Sequence, residues 1–227
     1  METGIPQGSP AVPILFVTYL SRIVEEVERE CEGVRALSFA DDISSWAEGK
    51  TEEDVACRWG DRNGVTFDHN KSKALLFSRK RKAPTVTIKT GGTEVTFNKE
   101  ITGWLGVRLN SHLTLRDHQK LMLKKGIKVL ARLKRLMGQM GLTAGNCCKV
   151  MTACMQPVAM YGSELWWKRE GKQGMVGGAA ELQKLVKLEA RAVTGCFRTT
   201  NQAALANEAG LRPAVAQLNN RLGQFGA

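Results

Sequence analysis

Aromatic residues are scarce in this chain of 227 residues. Phenylalanine, tryptophan and tyrosine together make up 6% of the sequence, and only two tyrosines are present. Proteins that hold single strands without reading their sequence stack the bases on aromatic side chains. The composition therefore argues against a surface built mainly from base-stacking platforms.

Long apolar runs are lacking as well. No run reaches the roughly 18 residues that a membrane-spanning helix needs, so we expect no membrane partner. A secretory signal is not recognisable either. That favours an intracellular, reducing setting, in which the six cysteines stay free and serve as small core residues.

Zinc-site patterns are missing from the sequence. The cysteines form no Cys-x-x-Cys pair, and the three histidines, His69, His112 and His118, lie far from them along the chain. Structural zinc sites usually combine such pairs with nearby cysteine or histidine ligands. We therefore predict no zinc site.

Acidic residues are rare in one part of the chain only. Residues 71–135 carry 17 basic and 3 acidic side chains, whereas residues 1–70 carry 6 basic and 14 acidic ones. The formal net charge is +11 and the pI is near 9.6. Such a balance suggests a polyanionic partner, nucleic acid first and an anionic membrane second.

Two adjacent carboxylates, Asp41 and Asp42, separate an apolar run at 36–40 from a second one at 43–46. The pattern predicts a strand, a two-residue turn that contains both acids, and a second strand. Carboxylates this close repel each other unless a cation lies between them, and Mg²⁺ or Mn²⁺ would suit their hard oxygen ligands. Taken alone, the pair is better explained as a solvated Asp-Asp turn, because aspartate is common in turns.

A Gly/Pro-rich block precedes the acid pair. Residues 4–10 read Gly-Ile-Pro-Gln-Gly-Ser-Pro and come just before a helix-like segment. Alone, the block is an ordinary turn at a helix start. With Phe39-Ala40-Asp41-Asp42 downstream, in this order and at this spacing, the sequence resembles reverse transcriptases of the non-LTR (LINE-like) retrotransposon class. The block matches that family's own, and the tetrapeptide is a common form of its acid motif.

The resemblance implies RNA-directed DNA synthesis from an RNA template and a DNA primer, with dNTPs and Mg²⁺ (or Mn²⁺). Asp41 would be the stricter metal ligand and Asp42 a secondary one, both at the catalytic centre. Adjacent strand residues point to opposite faces, so another strand must supply a further carboxylate. In the family it precedes the Gly/Pro-rich block, where this sequence has only Glu2. We therefore expect the chain alone to be inactive.

Further site residues follow from the same resemblance. Contacts to template and incoming nucleotide would come from Gly4, Pro6, Gln7, Gly8 and Ser9. Lys71 could protonate the pyrophosphate leaving group, although a solvated loop lysine is an equal alternative. The primer grip, a short strand that holds the primer end, would comprise Trp104, Leu105 and Gly106, for which plain core packing is the alternative.

Basic residues recur at intervals of three or four in the segment that follows residue 115. Apolar residues between Leu115 and Met137, Ile127 and Leu136 among them, would form one face of a helix. Another face would carry Lys120, Lys124, Lys128, Arg132 and Arg135. We call these five residues the basic stripe. As a thumb helix it would follow the phosphate backbone of a duplex without sequence preference. A solvated helix face is the alternative, and the near absence of acidic residues favours binding.

The resulting fold prediction is α+β. Residues 1–110 would be a partial polymerase palm of antiparallel sheet and packed helices, 111–170 a thumb-like helical domain, and 171–227 a truncated helical extension. Predicted strands include 74–77, a hairpin around Gly91-Gly92 and one strand at 101–109. Helices are expected to begin at Ser9-Pro10 and at Thr143. Helix ends are expected at Gly33, at Gly138 and Gly141, at Pro157, at Gly195 and at Gly210.

The predicted function is that of a reverse transcriptase fragment which is inactive alone. The alternative is a non-catalytic nucleic-acid-binding remnant or the product of a pseudogene. The family implies an intracellular location, nuclear or cytoplasmic. The oligomeric state is left open.

Overall fold

The structure, a computed structural model, describes residues 10–30, 34–47, 68, 71, 73–77, 87–90, 93–96, 102–168 and 178–225. The chain divides into two compact units, residues 1–100 and 101–227. Helices occur together with small antiparallel sheets, of which the described residues form three, each two-stranded. The chain is thus a mixed α and β structure, as the sequence predicted.

Unit 1 begins with helix α1, Val12–Glu30. Pro13 lies in its first turn, where no intrahelical hydrogen bond from the backbone N–H is lost. The buried residues Leu20, Ile23 and Val27 recur at helical spacing and form one apolar face. The predicted helix is therefore confirmed, but it begins at Val12 and not at Pro10, and its predicted C-cap, Gly33, lies outside the described residues.

That face of α1 packs on a hairpin of strands β1, Val34–Phe39, and β2, Asp42–Ala47. The strands are antiparallel, with Val34 opposite Ala47 and Phe39 opposite Asp42. The Glu28 carboxylate at the end of α1 accepts a hydrogen bond from the Ala36 N–H at 3.1 Å. Helix and hairpin are thereby joined by both apolar packing and a polar contact.

A second hairpin in unit 1 consists of β3, Thr87–Thr90, and β4, Thr93–Thr96. Thr90 pairs with Thr93, so the connection has two residues, as the Gly91-Gly92 signal predicted. The predicted strand at 74–77 is wrong: only Ala74 makes an isolated bridge, and residues 75–77 have no regular structure. A short apolar run becomes a strand only where a partner strand can pair along it.

Unit 2 begins with a third hairpin, formed by β5, Thr102–Trp104, and β6, Val107–Leu109. The single strand predicted at 101–109 is therefore wrong. Leu105 and Gly106 form the turn and both have positive φ, 47° and 77°, the backbone geometry of a type I′ turn. Leucine is not a turn residue, so the sequence offered only Gly106 as a signal.

Among the described residues of unit 2, six α-helices follow. They are α2 (Arg116–Met140), α3 (Ala144–Cys154), α4 (Gln156–Ala159), α5 (Gly178–Thr194), α6 (Gln202–Glu208) and α7 (Ala214–Phe225). A 3₁₀ turn at Ser163–Leu165 lies between α4 and α5. None of these or of the other described helices is both long and apolar enough to cross a lipid bilayer.

Most predicted helix ends in unit 2 are confirmed. Thr143 caps α3, its hydroxyl oxygen accepting from the Asn146 N–H at 3.4 Å. Pro157 falls in the first turn of α4, after α3 has ended. Gly141, Gly195 and Gly210 follow α2, α5 and α6 with positive φ, whereas Gly138 stays inside α2.

One core is shared by these helices. Its fully buried members include Met151, Met155, Leu205, Ala214 and Leu218. Residues 111–170 and 171–227, predicted as separate domains, therefore contribute to a single core. The hairpin at 102–109, which the prediction grouped with the partial palm, belongs to the same unit.

The apolar face predicted for α2 is only partly buried. Met122, Leu130 and Met137 are buried, but Ile127 is 47% exposed and Leu136 is 50% exposed. Including those two residues in the face was wrong, because they lie at its edges. Of the four described cysteines, all free, Cys147 is buried and Cys154 is exposed, so the core interpretation holds for Cys147 and is wrong for Cys154.

Candidate functional site

The acid pair lies at the tip of the β1–β2 hairpin, one residue out of its predicted register. The two-residue turn consists of Ala40 and Asp41, and Asp42 is already the first residue of β2. The prediction that both acids form the turn is therefore wrong. Ala40 adopts a positive φ of 51°. Residues other than glycine, asparagine and aspartate rarely adopt this backbone conformation, so the sequence did not indicate it.

Both carboxylates of the acid pair are exposed. Within the described part of the chain neither takes part in a salt bridge or a side-chain hydrogen bond. Magnesium is commonly held by one or two carboxylates with phosphate oxygens and waters completing the shell. The exposed pair has the donor type for such an ion, although no group of three potential metal ligands occurs among the described residues.

Strand alternation determines which face of the hairpin carries Asp42. Val34 and Ala36 point towards α1 and are buried, so Phe39 and its partner Asp42 belong to the opposite face. Leu37 and Trp46 lie on that same face and are exposed. In this two-stranded sheet, no residue on the face of Asp42 other than Asp42 itself is acidic.

Lys71, the predicted proton donor, is an exposed turn residue. Its Nζ atom lies 3.2 Å from Oδ2 of Asp68, and its backbone N–H donates to the Asp68 carbonyl at 3.0 Å. Exposed ion pairs of this kind contribute little to stability, so the side chain can leave Asp68 for another anion. Its catalytic role stays a prediction. Gly4, Pro6, Gln7, Gly8 and Ser9 lie outside the described residues.

The predicted primer grip is a turn rather than a strand. Trp104 ends β5, and Leu105 and Gly106 form the tip of the third hairpin. The indole Nε1 of Trp104 is buried and has no acceptor within the described part. The Leu105 carbonyl, by contrast, accepts a hydrogen bond from the Tyr161 hydroxyl at 2.7 Å.

All five residues of the basic stripe are exposed on α2. They lie opposite the buried positions of the helix, which are His118, Met122, Gly126, Leu130 and Met137. The helix has eight basic residues and a single acidic one, Asp117 in its first turn. No salt bridge between described residues engages the stripe, so its charges face solvent without a neutralising partner.

More positive charge lies beside α2. An open cavity of about 560 Å³ is lined by Lys134 of α2, Arg191 of α5 and Arg198 of the loop after α5, and by no acidic residue. Arg191 also donates to the Arg198 carbonyl at 2.9 Å, which ties this loop to the helix. The cationic surface therefore extends from α2 to the end of α5.

Two buried polar residues were missed at the sequence level. His118 of α2 and Glu189 of α5 are both 0% exposed. Each follows the buried spacing of its helix, His118 with Met122 and Gly126, and Glu189 with Leu185 and Val193. A polar residue on an apolar helical face is the signal that could have identified them.

Comparison with known proteins points to one family. Residues 1–109 match a family model described as reverse transcriptase (RNA-dependent DNA polymerase). A Retrovirus-related Pol polyprotein from type-1 retrotransposable element R1 2 of Nasonia vitripennis is 24% identical over 180 residues, which cover 73% of this chain and 43% of that protein. The corresponding polyprotein from element R1 4 of the same organism is 26% identical over 159 residues, 68% of this chain and 39% of that protein. The chain thus spans less than half the length of these relatives. No solved structure matches it.

Proposed function

Since residues 1–109 belong to the reverse transcriptase family and most of the chain is related to non-LTR retrotransposon Pol polyproteins, we propose that unit 2 acts as a thumb. In this proposal unit 2 binds the RNA template and the DNA primer as a duplex. Unit 1 is then part of the palm and carries the acid pair.

The basic stripe carries this proposal. Five exposed cations spaced by three or four residues extend over about 22 Å of helix at 1.5 Å per residue. Phosphates follow each other along a duplex at a comparable or closer spacing, so several stripe residues can contact one duplex at once. The cations around the cavity between α2 and α5 would enlarge the same positive surface.

The acid pair would serve the polymerase reaction of a complete site. Asp41 and Asp42 would hold Mg²⁺, an ion that supplies charge stabilisation to the transferring phosphate. Lys71 would move from Asp68 to the pyrophosphate and donate a proton to it. The residues of the Gly/Pro-rich block would contact template and dNTP. These roles come from the resemblance, and the exposure of the acid pair is compatible with them.

Equilibrium binding of a fluorescent RNA–DNA hybrid to the whole chain tests the proposal. We expect binding that weakens steeply as salt is raised, because contacts to phosphates release counterions. Competing hybrids of unrelated sequence should displace the probe equally well. An absence of binding at low salt would refute the thumb assignment.

A second candidate function is nucleic-acid binding without catalysis. It is favoured by one observation: the face of the β1–β2 sheet that bears Asp42 offers no further carboxylate. A two-metal polymerase site requires carboxylates from more than one strand. Under this alternative the acid pair would be a remnant, and the basic stripe would be the functional surface.

We predict that the 227-residue chain does not extend a primer on an RNA template with Mg²⁺ or Mn²⁺. The described face of the β1–β2 sheet that bears Asp42 supplies one carboxylate, and a site without a further metal-binding carboxylate stabilises much less of the charge in the transition state. A primer-extension assay on the wild-type chain measures this, with the Asp41→Asn variant as the control for contaminating polymerases. Extension by the wild type that Asp41→Asn abolishes would contradict the prediction.

A further inference from the structure

The turn at Leu105 and Gly106 is not stabilised by its own sequence. A type I′ turn requires positive φ at both central residues, which favours Asn-Gly or Gly-Gly. Glycine adopts such a φ freely, whereas the Cβ atom makes it unfavourable for leucine at 47°. Contacts from outside the hairpin must therefore favour this conformation.

Tyr161 supplies the first of these contacts. Its hydroxyl donates to the Leu105 carbonyl at 2.7 Å. Its ring also lies across the turn, since a Cβ atom placed on Gly106 would be 3.2 Å from its Cε1 atom. One side chain thus both bonds the turn and packs against it, from a position 56 residues further along the chain.

His118 connects Tyr161 to α2. The Tyr161 carbonyl lies 2.9 Å from Nε2 of His118, and the Arg108 N–H of β6 donates to Nδ1 of the same ring at 3.3 Å. An imidazole that accepts through Nδ1 donates through Nε2, so both ring nitrogens are satisfied in the neutral form. Gly162 permits this approach, because a Cβ atom there would lie 2.8 Å from Nε2.

From this geometry we propose that Tyr161 and His118 are positioning residues that fix the Leu105–Gly106 turn relative to α2. The turn, predicted above as part of the primer grip, would then contact the primer at a recessed 3′ end. The inference rests on the proposed function for its ligand. The bonds that fix the turn do not depend on that function.

The first experiment tests the turn without nucleic acid. In the wild-type chain, NMR dipolar couplings and chemical shifts should report a positive φ for Leu105. Tyr161→Phe, which removes one oxygen and retains the ring, should let Leu105 leave that region. Adding Leu105→Asn should restore the turn, because asparagine tolerates positive φ. A Leu105 φ that stays positive in Tyr161→Phe would overturn the inference.

The second experiment measures binding to an RNA–DNA hybrid with a recessed primer 3′ end and to a blunt hybrid. We expect the wild type to prefer the recessed end. Tyr161→Phe should reduce that preference about three- to tenfold, as expected for one lost hydrogen bond. The Tyr161→Phe, Leu105→Asn double variant should recover it. The control is Tyr19→Phe, at the other tyrosine of the chain, in unit 1. It should leave the preference for the recessed end unchanged.

The possible outcomes separate the two claims. Failure of the wild type to bind either hybrid would refute the proposed function, while the NMR experiment would still decide whether Tyr161 fixes the turn. Equal affinity of the wild type for both hybrids would refute a role of the turn at the primer end. An undiminished preference in Tyr161→Phe would refute the positioning role.

Discussion

Replacing Lys124, Lys128 and Arg132 by alanine should remove most of the salt dependence of duplex binding. Each phosphate contact contributes about −0.9 to the slope of log affinity against log salt. If all five stripe residues contact phosphates, wild-type affinity should fall about 500-fold between about 50 and about 200 mM salt. With two contacts left, the fall should be only about tenfold.

A matched variant separates the stripe from net charge. Lys149, Lys168 and Arg212 are exposed in unit 2 outside α2, and replacing them by alanine removes the same three charges. Long-range attraction would then decrease equally, but the slope should stay near the wild-type value. Fluorescence anisotropy across a salt series, with two hybrids of unrelated sequence, measures both quantities. Equal slopes of log affinity against log salt in the two triple variants would show that the basic stripe is a solvated helix face.

The second large effect concerns Glu189 and pH. Burial raises the pKa of this carboxyl from its ordinary value of 4.5 to about 7, partly offset by a hydrogen bond from Gln156. The Gln156 Nε2 atom lies 3.2 and 3.3 Å from the two carboxyl oxygens. No salt bridge between described residues neutralises Glu189.

The direction of the effect follows from proton linkage. Between about pH 4.5 and pH 7 the folded chain retains a proton at Glu189 that the unfolded chain has lost. The contribution of Glu189 to the stability of the folded chain is therefore complete below about pH 4.5, and it is lost as the pH rises through about 7. At pH 8 the buried carboxylate should lower the free energy of unfolding by about 3 kcal/mol.

Glu189→Gln should therefore stabilise the chain strongly at pH 8 and by less than about 1 kcal/mol at pH 5. The gain at pH 8 should approach about 3 kcal/mol, or roughly 6–12 °C in Tm. Denaturant unfolding at several pH values measures it. Glu181→Gln, at an exposed position of the same helix, is the control and should follow the wild type. The prediction would be contradicted if the free energy of unfolding changed with pH in the same way in the wild type and in Glu189→Gln.

Local chemistry made the helices of this chain predictable. Thr143, Pro157, Gly195 and Gly210 are residue types that start or stop helices through their own backbone geometry or side-chain hydrogen bonds. The hairpin of β3 and β4 follows the same logic, since Gly-Gly between two strand-like runs is a sequence signal for a two-residue connection. The exposure of the basic stripe was likewise expected, because spacing alone places those residues on one face.

The turns at Ala40 and Leu105 could not be predicted in this way. Neither residue prefers a positive φ, so neither marks a turn in the sequence. At Leu105 the conformation is supported by Tyr161, a contact between residues distant along the chain. Local signals carry no information about such a contact, and the hairpin at 102–109 was therefore predicted as a single strand.

The same reason explains why the candidate site was found only in part. The acid pair and the Gly/Pro-rich block are contiguous motifs, whereas His118 has its hydrogen-bond partners in β6 and in the turn after α4. Buried polar residues of this kind are identified by their partners, and their partners are known only once the chain is folded.

Helix α5 packs against α2, α3, α6 and α7. Amides near the middle of α5 cannot open without disturbing those four neighbours, so their exchange should require global unfolding of unit 2. Glu189 lies on this helix. The slowest amides of α5 should therefore report the free energy of unfolding of unit 2, and this value should change with the protonation of Glu189.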